Sequence, residues 1–141
     1  MVTRATIRTS TWDVMYNHLQ TGTYAISTNN IFSAWNSNLA NDKGYPLVIL
    51  MPPSTSFEKA TLTGEITESE VVYNIEVYHT NAQNLKALAD EITNSLITGR
   101  TVFSGNRLMN MEISGDDYET WAEGSKKIHR VAFNVTYRYV A

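Results

Sequence analysis

Two stretches of the chain alternate apolar and polar residues with a period of two. From Val71 to His79, positions Val71, Tyr73, Ile75, Val77 and His79 fall on one side, with Asn74 and Glu76 on the other. From Lys127 to Tyr139, His129, Val131, Phe133, Val135, Tyr137 and Tyr139 share one face, while Arg130, Asn134, Thr136 and Arg138 share the opposite one. Strands with one buried face produce this pattern. Tyr45–Met51 is a continuous apolar run stopped by Pro52-Pro53, which predicts a strand buried on both faces. Leu108–Ile113 predicts another strand, as does Phe57–Ile66, turning through Gly64, and Asn30–Asn36 is a weaker candidate.

Helical spacing occurs twice. Leu85, Leu88, Ala89, Ile92 and Leu96 line one side of a segment opened by Thr80-Asn81-Ala82-Gln83, which has capping-box spacing, and closed by Gly99. Trp12, Met15, Tyr16 and Leu19 predict a shorter helix over Ser10–Gln20, with Ser10 as its cap, Asp13 in its first turn and Gly22 past its end. The polar segment Ser114–Lys126 is long for a hairpin turn and is expected to project from the sheet. The expected fold class is therefore α+β: a mainly antiparallel β-sheet with two helices packed on one face, plus a projecting β-hairpin loop.

Composition narrows this reading. A length of 141 residues with 43% hydrophobic content suits a single domain spanning 1–141, with residues 1–9 as a possible N-terminal arm. The absence of cysteine removes disulfides, thiolate metal sites and cysteine nucleophiles. A net charge of −3 provides no general attraction for nucleic acid. Met1–Ser10 lacks the apolar core of a signal peptide, and Leu47–Met51 is far too short to span a bilayer, so no membrane partner is expected.

The search for reactive chemistry finds little. His18, His79 and His129 have no second histidine or carboxylate at ligand spacing, and the two strand histidines fall on apolar faces, as partly buried, hydrogen-bonded histidines do. No G-x-S-x-G occurs, and no two glycines lie close enough for a phosphate-binding loop. Two acidic clusters, Glu65/Glu68/Glu70 and Asp116/Asp117/Glu119/Glu123, sit in polar surroundings without the ligand alternation of a calcium loop. No catalytic, metal-binding or cofactor-binding residues are assigned, and an enzyme is not expected.

The surface offers more. Tyr118 and Trp121 stand among Asp116, Asp117 and Glu119, followed by the basic pair Lys126-Lys127. Large aromatics in a polar segment suit a contact surface, although Trp121 packing back on its own sheet is the competing reading. Arg4 and Arg8 suit an arm that reaches a neighbour, or else a frayed terminus. Opposite charge in the two segments suits head-to-tail contacts between subunits.

The order of these elements resembles a known family. A short helix with an early Trp, the strand YPLVILMPP, the segment VVYNIEVYHTN, the helix LKALADEITNSL and the closing strand KKIHRVAFNVTYRYV are similar in arrangement to tail terminators and other small neck proteins of tailed bacteriophages and related viruses. The resemblance extends from about Thr11 to the end, and lies in order and pattern, not in a diagnostic motif. It implies a structural virion protein, assembled in the host cytoplasm, that forms a homo-oligomeric ring, commonly a hexamer, at the head-proximal end of the tail tube. Such a ring stops tail polymerisation and joins the tail-tube protein to the head-side connector. Viral DNA passes through its channel without sequence-specific binding, and the family implies no catalytic residue. Two alternatives remain open: another neck or tail component (head-completion, connector, tail-tube or minor tail protein), and a small cellular ligand-binding domain or enzyme.

Overall fold

The computed structural model describes residues 2–20, 30–33 and 44–141. The fold is α+β. In chain order the elements are α1 (Arg4–His18), β1 (Ile31–Phe32), β2 (Leu47–Leu50), β3 (Ser54–Ala60), β4 (Ile66–His79), α2 (Ala82–Thr98), α3 (Arg100–Gly105), β5 (Leu108–Glu123) and β6 (Lys126–Val140). The described strands form one six-stranded sheet in the order β1-β2-β4-β6-β5, with β3 also paired to β4. Every pairing is antiparallel except the short parallel one between β1 and β2.

The two alternating segments form the centre of the sheet. β4 and β6 pair continuously from Glu68↔Val140 to His79↔His129, which brings their apolar sides onto one face. β2 and β3 pair with successive halves of β4, Leu50 opposite Ile75 and Ser54 opposite Val72, so they are two parts of one interrupted strand beside β4. Met51, Pro52 and Pro53 interrupt it, because proline lacks the N–H that a ladder requires. All four residues of β2 are buried, as its unbroken apolar run predicts. The strand expected over Phe57–Ile66 is instead a hairpin. β3 ends at Ala60, and a turn follows in which Gly64 N–H donates to Thr61 O (2.9 Å) and Thr61 N–H to Glu65 O (2.8 Å); Ile66 opens β4.

Among the described residues three helices, rather than the expected two, cover the same face. α2 matches its prediction closely, with Leu85, Ala89, Ile92 and Leu96 turned inward. Its cap is Asn81, whose side chain accepts from the Asn84 N–H at 2.9 Å; the Thr80 capping box is not used. α1 begins six residues before the expected Ser10. Thr3 caps it, its hydroxyl accepting from Thr6 N–H while Thr6 Oγ1 accepts from Thr3 N–H, both at 3.3 Å. Residues 4–9 are therefore helical and are not an extended arm. Ile7, Thr11 and Met15 form the buried stripe of α1. The polar Thr11 in that stripe hid the helix from a count of apolar residues; its hydroxyl donates to Ile7 O at 2.5 Å and needs no other partner. α3 has no periodic signal of its own and is held by Phe103, which stacks on Tyr137 at 4.9 Å between ring centres.

Ser114–Lys126 does project, but as paired strand and not as loop. β5 stays bonded to β6 as far as Glu123↔Lys126, and a two-residue turn at Gly124-Ser125 closes the hairpin. Gly124 has φ +64, a conformation that costs glycine nothing. Lys126–Ile128 extends beyond the end of β4. Two bulges shift the register of β5, one after Met109 and one after Ser114, with Asn110 (φ +55) and Gly115 (φ +78) in left-handed conformations. The expected strand Asn30–Asn36 is observed only as Ile31–Phe32; residues 34–36 and Gly22 lie outside the described residues.

The main core lies between helices and sheet, around Tyr73, Phe103, Phe133, Met15, Leu85, Ile92 and Leu96. Each large apolar side chain buried there contributes about 1.5–3 kcal/mol. Two polar ties cross this layer: Tyr73 OH donates to Thr11 O (2.7 Å) and Trp12 Nε1–H donates to Leu50 O (2.8 Å), anchoring α1 over the β2/β3 edge.

Candidate assembly surfaces

The open face of the sheet carries the polar residues of the alternating strands. Arg130 lies at the centre of one cluster: its Nε–H donates to Glu76 Oε2 at 2.9 Å, and Nη1 lies 3.5 Å from Glu119 and 3.7 Å from Asp117. Tyr78 OH donates to the same Glu76 oxygen at 2.5 Å. Burial by itself would raise the Glu76 carboxyl, but the hydrogen bonds from Arg130 and Tyr78 hold it below the usual carboxylate range. At the other end, Glu68 pairs with Lys59 (3.1 Å) and with Arg138, and both cations lower its pKa. Asn74 and Asn134 bridge the middle at 3.0 Å.

This face also has an apolar end. Leu47, Ile49, Tyr78 and Ile128 are buried there against Phe32, Tyr45 and Trp121. Trp121 meets the Tyr78 ring edge-on at 5.9 Å and so packs back on its own sheet, partly buried. Tyr118 behaves differently. Three register steps before Trp121, opposite Val131, it points to the helix side and remains 51% exposed. Partial burial, then the charges of Asp116 and Asp90, raise its phenol.

The remaining singled-out residues separate into two groups. Arg4 and Arg8 are exposed on the N-terminal half of α1, near the β2/β3 edge; Arg8 shares a shallow concavity with Trp12, Ser33 and Pro52. Asp116 and Asp117 are exposed on β5, the opposite edge, and Lys126 and Lys127 are exposed at its hairpin tip. Arg4 and Arg8 thus lie near one lateral edge of the sheet and the acidic Asp116 and Asp117 on the other, with Lys126 and Lys127 adding positive charge at the hairpin tip. Asp117 is partly engaged by Arg130 within the same chain, which spacing alone did not indicate.

The histidines are less scattered than their spacing suggested. Antiparallel register sets His79 directly across from His129. His79 Nδ1 accepts from Asn81 N–H at 3.1 Å, and His129 Nδ1 shares a hydrogen bond with Thr120 Oγ1 at 2.9 Å. Burial, then the neighbouring His129, lowers the His79 pKa. Neither ring lines any of the principal concavities, and among the described residues no group of three His, Asp or Glu side chains is placed to hold a metal ion. No helix among the described residues is long and apolar enough to cross a membrane.

Two hollows adjoin the first β5 bulge. One, of about 450 Å³, is polar and opens over Glu70, Glu112, Thr136 and Arg138. The other, of about 410 Å³, is mainly apolar and lies between the α2–α3 junction and β5, with Ile97 and Met109 about half exposed at its rim. An apolar hollow of this kind has no period in the sequence, because its walls come from three elements.

No protein-family model matches this sequence, and no curated protein is significantly similar to it. Its fold is similar to that of a chain in the virion of a native gene transfer agent particle, with a TM-score of 0.59 and 12% sequence identity. The similarity covers 92% of this chain and 94% of that one. At this identity the likeness is one of fold.

Proposed function

We propose that this chain is a structural virion protein of a tailed-phage-like particle. In this reading it forms a ring, commonly of six copies, at the head-proximal end of the tail tube. There it ends tube growth and contacts the head-side connector, with viral DNA passing through the channel. The observation that carries the reading is the near end-to-end fold likeness to a virion chain, which covers nearly all of both proteins. The element order found in the sequence supports it independently.

The placement of charge supports the ring form. Head-to-tail closure requires two different surfaces on each subunit. Here the cationic N-terminal half of α1 and the acidic β5 strand occupy opposite edges of the sheet. The open face, where Glu68, Glu70, Glu76, Asp117 and Glu119 accompany Lys59, Arg130 and Arg138, offers DNA phosphates little net attraction, as a conduit requires.

Light scattering over a concentration series, with negative-stain imaging of the same sample, tests the reading. A closed assembly of fixed mass is expected. Open-ended filaments would favour a tail-tube subunit, and a monomer at every concentration would count against a self-closing ring.

A further inference from the structure

Among the described residues the most exposed large apolar one is Leu62, at 109% of its reference surface. It sits at the apex of the β3–β4 turn, where water gains nothing from it and the core does not need it. Two backbone hydrogen bonds close the turn, Thr61 Oγ1 and Thr63 Oγ1 lie 2.9 Å apart, and Gly64 takes φ +86. Glu65 is exposed beside it.

The apolar groove beside β5 is the complementary shape. Ile97, Leu108, Met109 and Met111 form its walls, Tyr137 forms its floor, and Arg100 stands at its rim. The left-handed Asn110 of the first bulge also lines it. The Tyr137 hydroxyl beneath it is buried without a hydrogen-bond partner among the described residues. The register places knob and groove at the same end of the sheet. The turn follows Ala60↔Ile66 on one lateral edge, and Leu108 lies opposite Tyr139, itself opposite Ser69, on the other.

We infer that Leu62 of one subunit inserts into the groove between Ile97 and Met109 of a second copy of this chain, with Glu65 facing the partner's Arg100. The occupant is a second copy because knob and groove lie on opposite edges, carry opposite charge at their rims, and repeat without exhausting each other. The inference rests on the ring reading and specifies its contact. It differs from a self-complementary dimer, in which the same patch would meet itself.

The absence of cysteine permits a direct test. Leu62→Cys protein mixed with Met109→Cys or Ile97→Cys protein should form a mixed disulfide under mild oxidation, and each variant alone should form little. Leu62→Glu should raise the concentration needed for assembly by about tenfold or more, since buried apolar anchors dominate interfaces. Thermal melting should stay unchanged, because the side chain touches nothing in the monomer. Glu65→Arg and Arg100→Glu should each weaken assembly, and mixing the two variants should restore it. A closed oligomer that forms with Leu62→Glu as it does without, and yields no mixed disulfide, overturns this contact while the ring reading stands. A chain that stays monomeric and forms no mixed disulfide overturns both.

Discussion

The two faces of the central sheet are built from the same strands but held by different forces. On the helix side, β4 and β6 present Val71, Tyr73, Ile75, Val77, Val131, Phe133 and Val135 to three helices, and nearly every contact there is apolar. On the open side the same strands present Glu68, Glu76, Asn74, Arg130, Asn134 and Arg138, paired across neighbouring strands. The period of two makes this possible, since each strand serves two environments without compromise. The difference indicates where stability resides. Burial on the first face is worth kilocalories per residue, whereas exposed ion pairs contribute about 0–1 kcal/mol each. The open face and the two edges are consequently free to be shaped for contact.

The largest effect should come from opening the helix side. Phe103→Ala removes the ring stacked on Tyr137 and edge-on to His18, and should cost about 3–5 kcal/mol in denaturant unfolding. A cost below about 1 kcal/mol would erase the contrast between the faces.

Gly99→Ala should come next. A Cβ there would stand 2.5 Å from His18 Cε1 and 2.9 Å from Ser95 O, so the His18 ring and the end of α2 must adjust, at about 1–3 kcal/mol. If the contact with His18 is the cause, the double variant Gly99→Ala/His18→Ala should cost clearly less than the sum of its parts.

Arg130→Met is the strongest perturbation expected on the open face. It leaves Glu76, whose side chain is 16% exposed, without its main partner, and should cost about 1–3 kcal/mol. Adding Glu76→Gln should recover most of that loss. Recovery would show that the pair was retained at little net gain.

Acid titration separates the faces in another way. Burial lowers the His18 pKa below its ordinary 6.5, so the unfolded chain takes up the proton first and stability declines as pH falls below that value. His79 acts in the same direction. Glu76, with a depressed pKa, adds stability that is complete above its ordinary 4.5 and is lost as pH falls through its lower folded value. Melting curves from pH 7.5 to pH 3 should therefore decline in two stages. His18→Gln should flatten the first stage, and Glu76→Gln the second. The smallest effect belongs to Lys59→Ala, whose ammonium is 61% exposed and should matter by less than about 0.5 kcal/mol.

The parts legible from sequence were those in which a single segment carries its own periodicity. β6 and α2 were recognisable within a residue or two, and β4 at its C-terminal end though not over its first five residues, because each presents a long apolar stripe at one spacing. α1 was legible only in its second half, since its first half is polar and Thr11 occupies a core position by bonding its own helix. α3, the β5 bulges and the Leu62 turn gave no pattern, for their placement depends on partners distant in the chain. Among the residues singled out for contact, Tyr118 is half exposed, while Trp121 is partly buried against Tyr78. The two are separated by a choice of sheet face, which the bulge after Ser114 helps to set.

The sequence by itself determined the α+β class, the two central strands with their apolar and polar sides, and the main helix. Tertiary structure alone decided which strand neighbours which, that His79 faces His129, that Arg130 gathers three carboxylates, and that a knob and a groove lie on opposite edges. The physical reason is locality. Hydrophobic periodicity is a property of consecutive residues and survives in one dimension. Register, ion pairing and surface shape arise only when segments tens of residues apart are brought together by burying the core.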